Sequence, residues 1–145
     1  MKVVVQRCDG GKVTVDNKVV GEIGKGLMLL VGFTDTDTSK EIDYMVDKAV
    51  NLRVFDDENG VMNKSLLETG GSILSISQFT LYGDASKGRR PSYVKALSGD
   101  KAIILYDEFN KKLKEKGVHV ETGIFGAEMK VTFTNDGPIT ILLEK

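Results

Sequence analysis

The stretch that decides the fold is Met129-Lys130-Val131-Thr132-Phe133-Thr134-Asn135-Asp136-Gly137-Pro138-Ile139-Thr140-Ile141-Leu142-Leu143. Apolar and polar side chains alternate on both sides of the turn residues 135–138, as they do in strands with one buried face. Residues 1–5 also suit a strand. Because strands near both ends of the chain must find pairing partners, we predict an α+β fold. Its sheet is mostly antiparallel, or a partly closed β-barrel, and two helices cover it.

Short aliphatic runs in the first quarter of the chain predict an antiparallel meander over residues 2–7, 12–16, 19–23 and 27–33. Gly10-Gly11, Asp16-Asn17 and Gly24-Lys25-Gly26 separate these runs and predict turns. The wider segment 21–26 lacks the glycine spacing and the Ser or Thr of a phosphate-binding loop. We therefore assign it to a hairpin turn.

Two segments have the periodicity of helices. Thr38-Ser39-Lys40-Glu41 has the spacing of a capping box, and the apolar residues that follow on one helical face are Ile42, Met45, Val46, Ala49 and Val50. A second helix is predicted over 100–116, with Gly117 as its C-cap. Its inward face is predicted to contain Ala102, Ile103, Tyr106, Phe109 and Leu113. Between the helices, the apolar run 72–81 predicts a buried strand.

Composition limits the classes of protein that this chain can be. Its 145 residues, 41% hydrophobic and 28% charged, suit one domain spanning 1–145. The net charge of −1 gives no overall attraction to nucleic acid or membrane, although a local basic face could still bind phosphates. No apolar run approaches the roughly 20 residues of a membrane-spanning helix. The N-terminus does not resemble a signal sequence, so we expect a soluble cytoplasmic protein.

Common catalytic side chains are scarce. His119 is the only histidine and Cys8 the only cysteine, so no internal disulfide and no metal site are predicted. Any catalytic triad would depend on His119, which we place instead on a strand surface.

Four motifs carry a family resemblance. In chain order they are Ser77-Gln78-Phe79-Thr80-Leu81, Lys87-Gly88-Arg89-Arg90-Pro91-Ser92-Tyr93, Phe125-Gly126-Ala127-Glu128-Met129 and Asn135-Asp136-Gly137-Pro138-Ile139-Thr140. Together they resemble the D-aminoacyl-tRNA deacylase family over nearly the whole chain. The departure is local, since Gly11-Lys12-Val13 stands where the family usually has an Ala-Ser-Val-like segment.

The resemblance implies a homodimer that hydrolyses the ester between a D-amino acid and the 3′-terminal ribose of tRNA. It implies a cis Gly137-Pro138 peptide that projects from one subunit into the pocket of the other and rejects L-aminoacyl esters by backbone contact. Glycyl-tRNA escapes this rejection because glycine has no side chain. The expected partners are the 3′ end of aminoacylated tRNA and a second copy of the chain, with no cofactor, membrane or DNA.

The resemblance also assigns roles within the site. Gln78, Phe79 and Thr80 are the expected catalytic segment, whose backbone N–H groups could stabilise an oxyanion. The expected substrate-binding residues are Ser77, Phe125, Met129, Gly137 and Pro138. Ser77 and Gln78 are polar within an apolar run and need hydrogen-bond partners if they are buried.

Several alternatives stay open from the sequence. Thr80 could be the nucleophile of a general esterase, although no basic side chain lies near it in sequence. The chain could also be a non-catalytic dimeric RNA-binding module in which the Gly-Pro segment locks the dimer. The basic cluster Lys87, Arg89 and Arg90 suits a solvated loop and phosphate contact equally well.

Overall fold

In a computed structural model that describes residues 1–145, the chain forms seven strands and three α-helices. They are β1 (Lys2–Val15), β2 (Lys18–Gly32), α1 (Ser39–Asn51), β3 (Phe55–Asp56), β4 (Met62–Lys64), α2 (Leu66–Thr69), β5 (Ser72–Ser77), α3 (Gly99–Glu115), β6 (Val120–Thr122) and β7 (Lys130–Glu144). A 3-10 turn, Phe79–Tyr82, follows β5.

The main sheet has the strand order β6-β5-β2-β1-β7. The three long strands are antiparallel, because β1 pairs in that sense with both β2 and β7. The short strands β5 and β6 add in parallel beside β2. Strands β3 and β4 form a separate two-stranded ribbon. The predicted α+β class is confirmed, and the parallel pairing is a feature that the sequence did not indicate.

The main core lies between this sheet and the two long helices. Fully buried side chains from the strands, among them Leu27 and Leu29, meet Ile42 of α1 and Phe109 of α3. Each such side chain contributes roughly 1.5–3 kcal/mol by leaving water. This core fixes the helices over one face of the sheet.

A second apolar cluster lies on the opposite face of the sheet. Its buried members are Cys8, Val13, Ile23, Met28, Leu74 and Ile76. Strands β2 and β6 also approach each other closely, because a Cβ built on Gly21 of β2 would lie 2.6 Å from the Thr122 carbonyl oxygen of β6. Only glycine permits so close an approach between these two strands.

The first two strands are longer than predicted. The turn at Asp16 and Asn17 is present, with φ of 48° and 61°. The turns predicted at Gly10-Gly11 and within residues 21–26 are wrong, because β1 and β2 run through both segments. At Gly26 a Cβ would lie 1.8 Å from the Ser72 carbonyl oxygen, so this glycine serves close strand pairing.

The helices agree with the prediction in most details. The Thr38 backbone N–H donates to the Glu41 carboxylate at 2.8 Å, and the Thr38 hydroxyl accepts from the Lys40 N–H at 3.2 Å. Helix α3 ends at Glu115 with Lys116 as its C-cap, so Gly117, the predicted C-cap, follows one residue later with a φ of 85°. The inward prediction for Ile103 is wrong, since 38% of that residue is exposed. None of the helices is long and apolar enough to cross a membrane.

Candidate functional site

An apolar cavity of about 540 Å³ opens where the carboxyl ends of β2 and β5 meet. Val31 pairs with Ser77 at this edge. The lining residues are Val31, Gly32, Phe33, Ile76, Ser77, Gln78, Phe79, Leu97, Gly99, Ala102, Phe125, Gly126, Ala127, Met129 and Val131. None of them has an ionisable side chain. Any reaction inside the cavity therefore depends on backbone groups, on the side chains of Ser77 and Gln78, or on functional groups of the ligand itself.

The segment after β5 is held against the end of β2. The Gln78 N–H donates to the Val31 carbonyl oxygen at 2.7 Å. A Cβ built on Gly32 would lie 2.9 Å from the Gln78 carbonyl oxygen and 3.2 Å from Cβ of Leu81. The predicted strand over 72–81 is thus shorter, because the chain leaves the sheet at Ser77 and turns across Gly32.

The 3-10 turn leaves two backbone donors free. Its hydrogen bonds begin with the Leu81 N–H, which donates to the Gln78 carbonyl oxygen at 3.3 Å. Neither the Phe79 N–H nor the Thr80 N–H donates a hydrogen bond within the protomer. The first N–H groups of a helical turn have no partner inside it and are a natural place for an anionic oxygen.

The Thr80 hydroxyl has one side-chain neighbour within hydrogen-bond distance. It accepts from the Nε2 group of Gln78. No acidic or basic side chain contacts it, and His119 lies elsewhere on the surface beside Glu121, at 3.5 Å. The side chain of His119 is 64% exposed, as predicted, but the residue lies one position before β6 and not within a strand.

Helix α3 supports the cavity wall at Phe125. The rings of Tyr106 and Phe125 lie 5.7 Å apart, centroid to centroid. The Tyr106 hydroxyl donates to the Ser75 carbonyl oxygen at 2.7 Å. Burial raises the pKa of Tyr106 above its ordinary value of 10.0, so the phenol stays protonated and can donate at neutral pH.

The Gly137–Pro138 peptide bond is cis, in agreement with the expectation from the resemblance. In the pairing of β1 with β7, Gln6 lies opposite Thr140 and Cys8 lies opposite Asn135. The four residues 136–139 of β7 therefore lie opposite the single residue Arg7, and they form a bulged loop that contains the cis peptide.

Arg7 fastens this bulged loop to the sheet. Its Nε donates to the Asp136 carbonyl oxygen at 3.2 Å, and its Nη1 donates to the Val54 carbonyl oxygen at 2.8 Å. The Ile139 N–H donates to Asn135 Oδ1 at 3.1 Å. Gly137 and Pro138 themselves are exposed. The loop is therefore anchored at its base and presents its tip to solvent.

The structure brings together most of the predicted site. Ser77, Gln78, Phe79, Phe125 and Met129 line one cavity, and Thr80 is the next residue along the 3-10 turn. Gly137 and Pro138 do not line it and lie beside Arg7 instead. Within one protomer the site is thus divided into two separate parts.

Sequence reasoning missed the contribution of β2 and of the start of α3. Val31, Gly32 and Phe33 line the cavity from the end of β2, and Leu97 and Ala102 line it from the helix side. A glycine closing a long apolar strand is the signal that could have marked this position, since it permits close backbone approach. No three His, Cys, Asp or Glu side chains are grouped so that they could hold a metal ion.

Comparisons with known proteins identify the family. The family model described as D-Tyr-tRNA(Tyr) deacylase matches residues 4–144. The chain is 58% identical over 144 residues to a D-aminoacyl-tRNA deacylase of Bacillus velezensis (strain DSM 23117 / BGSC 10A6 / LMG 26770 / FZB42), covering 99% of this chain and 98% of the relative. It is 57% identical over 144 residues to a D-aminoacyl-tRNA deacylase of Brevibacillus brevis (strain 47 / JCM 6285 / NBRC 100599), covering 99% of each.

Solved structures share the fold. The structure of a c-Myc DNA Unwinding Element Binding Protein superposes with a TM-score of 0.94 at 40% identity, covering 100% of this chain and 99% of that one. A probable eukaryotic D-amino acid tRNA deacylase superposes with a TM-score of 0.84 at 24% identity, covering 98% and 97%. The resemblance inferred from the motifs is confirmed, and the chain belongs to the D-Tyr-tRNA(Tyr) deacylase family of hydrolases.

Proposed function

We propose that this chain hydrolyses the ester bond of D-aminoacyl-tRNA and releases free tRNA and the D-amino acid. One observation carries the proposal. Phe79 lines a cavity without ionisable side chains, and the backbone N–H groups of Phe79 and of the next residue, Thr80, have no acceptor within the protomer. Family membership supports the choice of an aminoacyl ester as the bond that is cut.

In the proposed reaction, water adds to the ester carbonyl carbon and the carbonyl oxygen becomes an oxyanion. The N–H groups of Phe79 and Thr80 donate to that oxygen. A well-placed backbone donor of this kind lowers the barrier by about 3 kcal/mol. The bond from the carbonyl carbon to the ribose O3′ then breaks, leaving a carboxylic acid and the ribose hydroxyl.

The proton that water loses must reach O3′. No cavity side chain has a pKa suited to carrying it, because Ser77 and Gln78 are the polar side chains that line the cavity. The ribose 2′-hydroxyl stands next to the ester and can relay the proton to O3′. The substrate thereby supplies the group that a histidine supplies in other hydrolases.

The proposed rejection of L-aminoacyl esters needs the second subunit. Gly137 and Pro138 are exposed, lie outside the cavity of their own protomer and are anchored through Arg7. A partner's loop entering the cavity would place main-chain carbonyls beside the α-carbon of the amino acid. An L side chain would collide with them, a D side chain would point away, and glycyl-tRNA would be accepted.

The surface of one protomer supports a homodimer. Ile139, Ile141 and Leu143 of β7 pack against the core, so the alternating residue Leu142 points to the opposite face and is 58% exposed. Val4 pairs with Leu142 on one side and with Leu30 on the other. This apolar strip continues the face on which the sheet is not covered by helices, and a second copy would bury it.

The alternative of a Thr80 nucleophile has less support. The Thr80 hydroxyl accepts from the Gln78 amide, and no base is within reach to remove its proton. The alternative of a non-catalytic RNA-binding module differs from the proposed enzyme in predicting RNA binding without ester hydrolysis. A turnover assay therefore separates the two. The expected cytoplasmic location follows from the proposed substrate and, like the absence of DNA binding, stays a prediction.

Matched D-tyrosyl-tRNA and L-tyrosyl-tRNA test the proposal directly. The purified protein is added at catalytic concentration, and release of tyrosine is followed beside a sample without enzyme. We expect rapid loss of the D ester and background loss of the L ester. Equal loss of both would exclude the chiral screen, and binding without loss of either would exclude an enzyme.

A further inference from the structure

The loop 83–95, called the basic loop below, joins the 3-10 turn to the segment leading into α3. It contains four cationic side chains, Lys87, Arg89, Arg90 and Lys95, and one carboxylate, Asp84. Its formal charge is thus +3. Because the whole chain has a net charge of −1, the remaining residues together have −4. The loop is thus net positive, whereas the rest of the chain is net negative.

The cations of the basic loop are free. None of them forms an ion pair with a carboxylate of the chain, and all four are exposed. Some lysines elsewhere are paired, since Lys112 contacts Asp43 and Glu108, and Lys116 contacts Asp47 at 3.4 Å. Uncompensated surface charge of this kind is available to an anionic partner.

The basic loop is also fixed to the rim of the cavity. Asp84 and Ser92 exchange backbone hydrogen bonds of 2.9 and 2.8 Å, which closes the loop at its base. The ring of Tyr93 lies 5.1 Å from the ring of Phe79, edge to face, and Phe79 lines the cavity. The Thr34 hydroxyl donates to the Lys95 carbonyl oxygen at 2.6 Å. The base of the basic loop therefore lies beside Phe79, at the rim of the cavity.

We propose that the basic loop binds backbone phosphates of the RNA strand that leads to the ribose in the cavity. The inference rests on the proposed function, which places the aminoacyl ester at Phe79 and Thr80. The preceding nucleotides must then leave through the cavity mouth, and Lys and Arg side chains there neutralise their phosphates and release counterions. This contact raises affinity for the polynucleotide without taking part in ester cleavage.

A competing surface is the shallower groove of about 690 Å³ beside α3. Its lysines, Lys111 and Lys114, share the groove with the carboxylates of Asp107 and Glu115. The groove is electrically balanced, whereas the basic loop is not. This difference favours the loop as the phosphate-binding surface.

The experiment compares two triple variants of equal charge change. Lys87→Ala/Arg89→Ala/Arg90→Ala removes three cations from the loop, and Lys40→Ala/Lys111→Ala/Lys114→Ala removes three unpaired lysines elsewhere. Each is assayed with D-tyrosyl-tRNA and with 3′-O-D-tyrosyl-adenosine, which has the ester and ribose but no phosphate. Binding of D-tyrosyl-tRNA is titrated against salt in parallel.

For the loop variant we expect KM for D-tyrosyl-tRNA to rise about tenfold or more at low salt, with kcat at saturation unchanged. The slope of log affinity against log salt should fall by about 2, since each phosphate contact contributes roughly 0.7–0.9. Hydrolysis of the adenosine ester should equal that of the parent protein. The control variant should retain the parent KM and slope.

Three outcomes would overturn the inference. These are an unchanged KM and slope in the loop variant, an equal loss in the control variant, or an equal loss on the adenosine ester, which would indicate damage to the cavity. If the parent protein hydrolyses neither ester, the proposed function fails by itself. The salt titration then still decides whether the loop binds RNA.

Discussion

The Tyr106 hydroxyl donates a 2.7 Å hydrogen bond to the backbone carbonyl oxygen of Ser75. This bond ties α3 to β5 two residues before the strand ends at the cavity, and the same ring packs against Phe125. Tyr106→Phe keeps the ring and loses the bond, so we expect a loss of about 1 kcal/mol in the free energy of unfolding. Urea denaturation measures it. Turnover of the D ester should stay close to that of the parent, and a large drop would contradict a purely supporting role.

The raised pKa of Tyr106 makes stability depend on alkaline pH. Burial is the main cause, and it also raises the pKa of Tyr82. In the unfolded chain both phenols ionise with the ordinary tyrosine pKa of 10.0. In the folded protein they ionise only at a higher pH. Stability is therefore complete below about pH 10 and falls as the pH rises above it. Urea midpoints between about pH 8 and pH 11 should fall less steeply for Tyr106→Phe than for the parent.

Gly32 should be indispensable for the shape of the cavity. An alanine Cβ there would lie 2.9 Å from the Gln78 carbonyl oxygen, and backbone cannot move aside as a flexible side chain does. Gly32→Ala should displace the segment 78–80 and reduce kcat/KM for D-tyrosyl-tRNA by about 100-fold, the usual cost of misplacing a catalytic group by about 1 Å.

Gly24→Ala is the matched control, because nothing lies within 4 Å of the added Cβ. It should retain parent activity and stability. Similar losses in both variants would mean that alanine impairs β2 in general, and not the contact with Gln78.

Local signals were sufficient for the helices. Thr38 and Glu41 form a capping box that depends on residues three apart, and the inward face of α1 follows a period that the sequence displays directly. Such features can be predicted from residues that are close together in the sequence. Ile103 shows the limit, since it directly follows the buried residue Ala102 and is nevertheless 38% exposed.

Long-range contacts explain what the sequence did not predict. Gly26 marks the contact of β2 with β5, and Gly21 marks the approach of β2 to β6, yet both resemble turn glycines in sequence. The distinction depends on residues about 50 to 100 positions away, Ser72 and Thr122. The same parallel pairing brings Gly32 to the cavity, so that residue was missed as well.

The candidate site was predictable where one continuous segment forms it. Residues 77–80 are adjacent in sequence, so the family resemblance could identify them as one motif, although the strand predicted over 72–81 ends at Ser77 and a 3-10 turn follows it. Gly137 could be found as a motif, but its distance from the cavity within one protomer depends on the pairing of β7 with β1. Sequence patterns do not display that geometry.

Thr80→Ala separates backbone catalysis from a threonine nucleophile. If the Thr80 N–H stabilises the oxyanion, removing the hydroxyl should leave kcat within about tenfold of the parent, because the backbone donor stays in place. Replacing the terminal ribose by its 2′-deoxy form should slow the reaction more. Single-turnover assays with both substrates measure this. A nucleophilic Thr80 predicts the reverse order, with Thr80→Ala inactive and simple esters hydrolysed by the parent.

Gly137→Ala should impair the proposed chiral screen. Gly137 has a φ of 123°, which side-chain-bearing residues rarely adopt, and an added Cβ would lie 2.9 Å from Ile139 Cγ1 and 3.1 Å from the Ile139 nitrogen. The loop tip must therefore shift, while the cavity lined by Phe79 and Phe125 is not touched. Because a shift of about 1 Å at a substrate-positioning group costs roughly 100-fold, we expect a loss of that order in the ratio of D-tyrosyl-tRNA to L-tyrosyl-tRNA hydrolysis.

For Gly137→Ala we measure the ratio of the hydrolysis rates of D-tyrosyl-tRNA and L-tyrosyl-tRNA, with Gly24→Ala as the control. Sedimentation measures whether the subunits stay associated. A variant that retains both its association state and its parent D-to-L ratio would show that the loop does not discriminate between the esters. A variant that dissociates would instead implicate the loop in subunit contact. In that case, mixing it with a cavity variant such as Gly32→Ala distinguishes the two roles. A restored D-to-L ratio in the mixture requires the intact loop of the Gly32→Ala subunit to enter the intact cavity of the Gly137→Ala subunit.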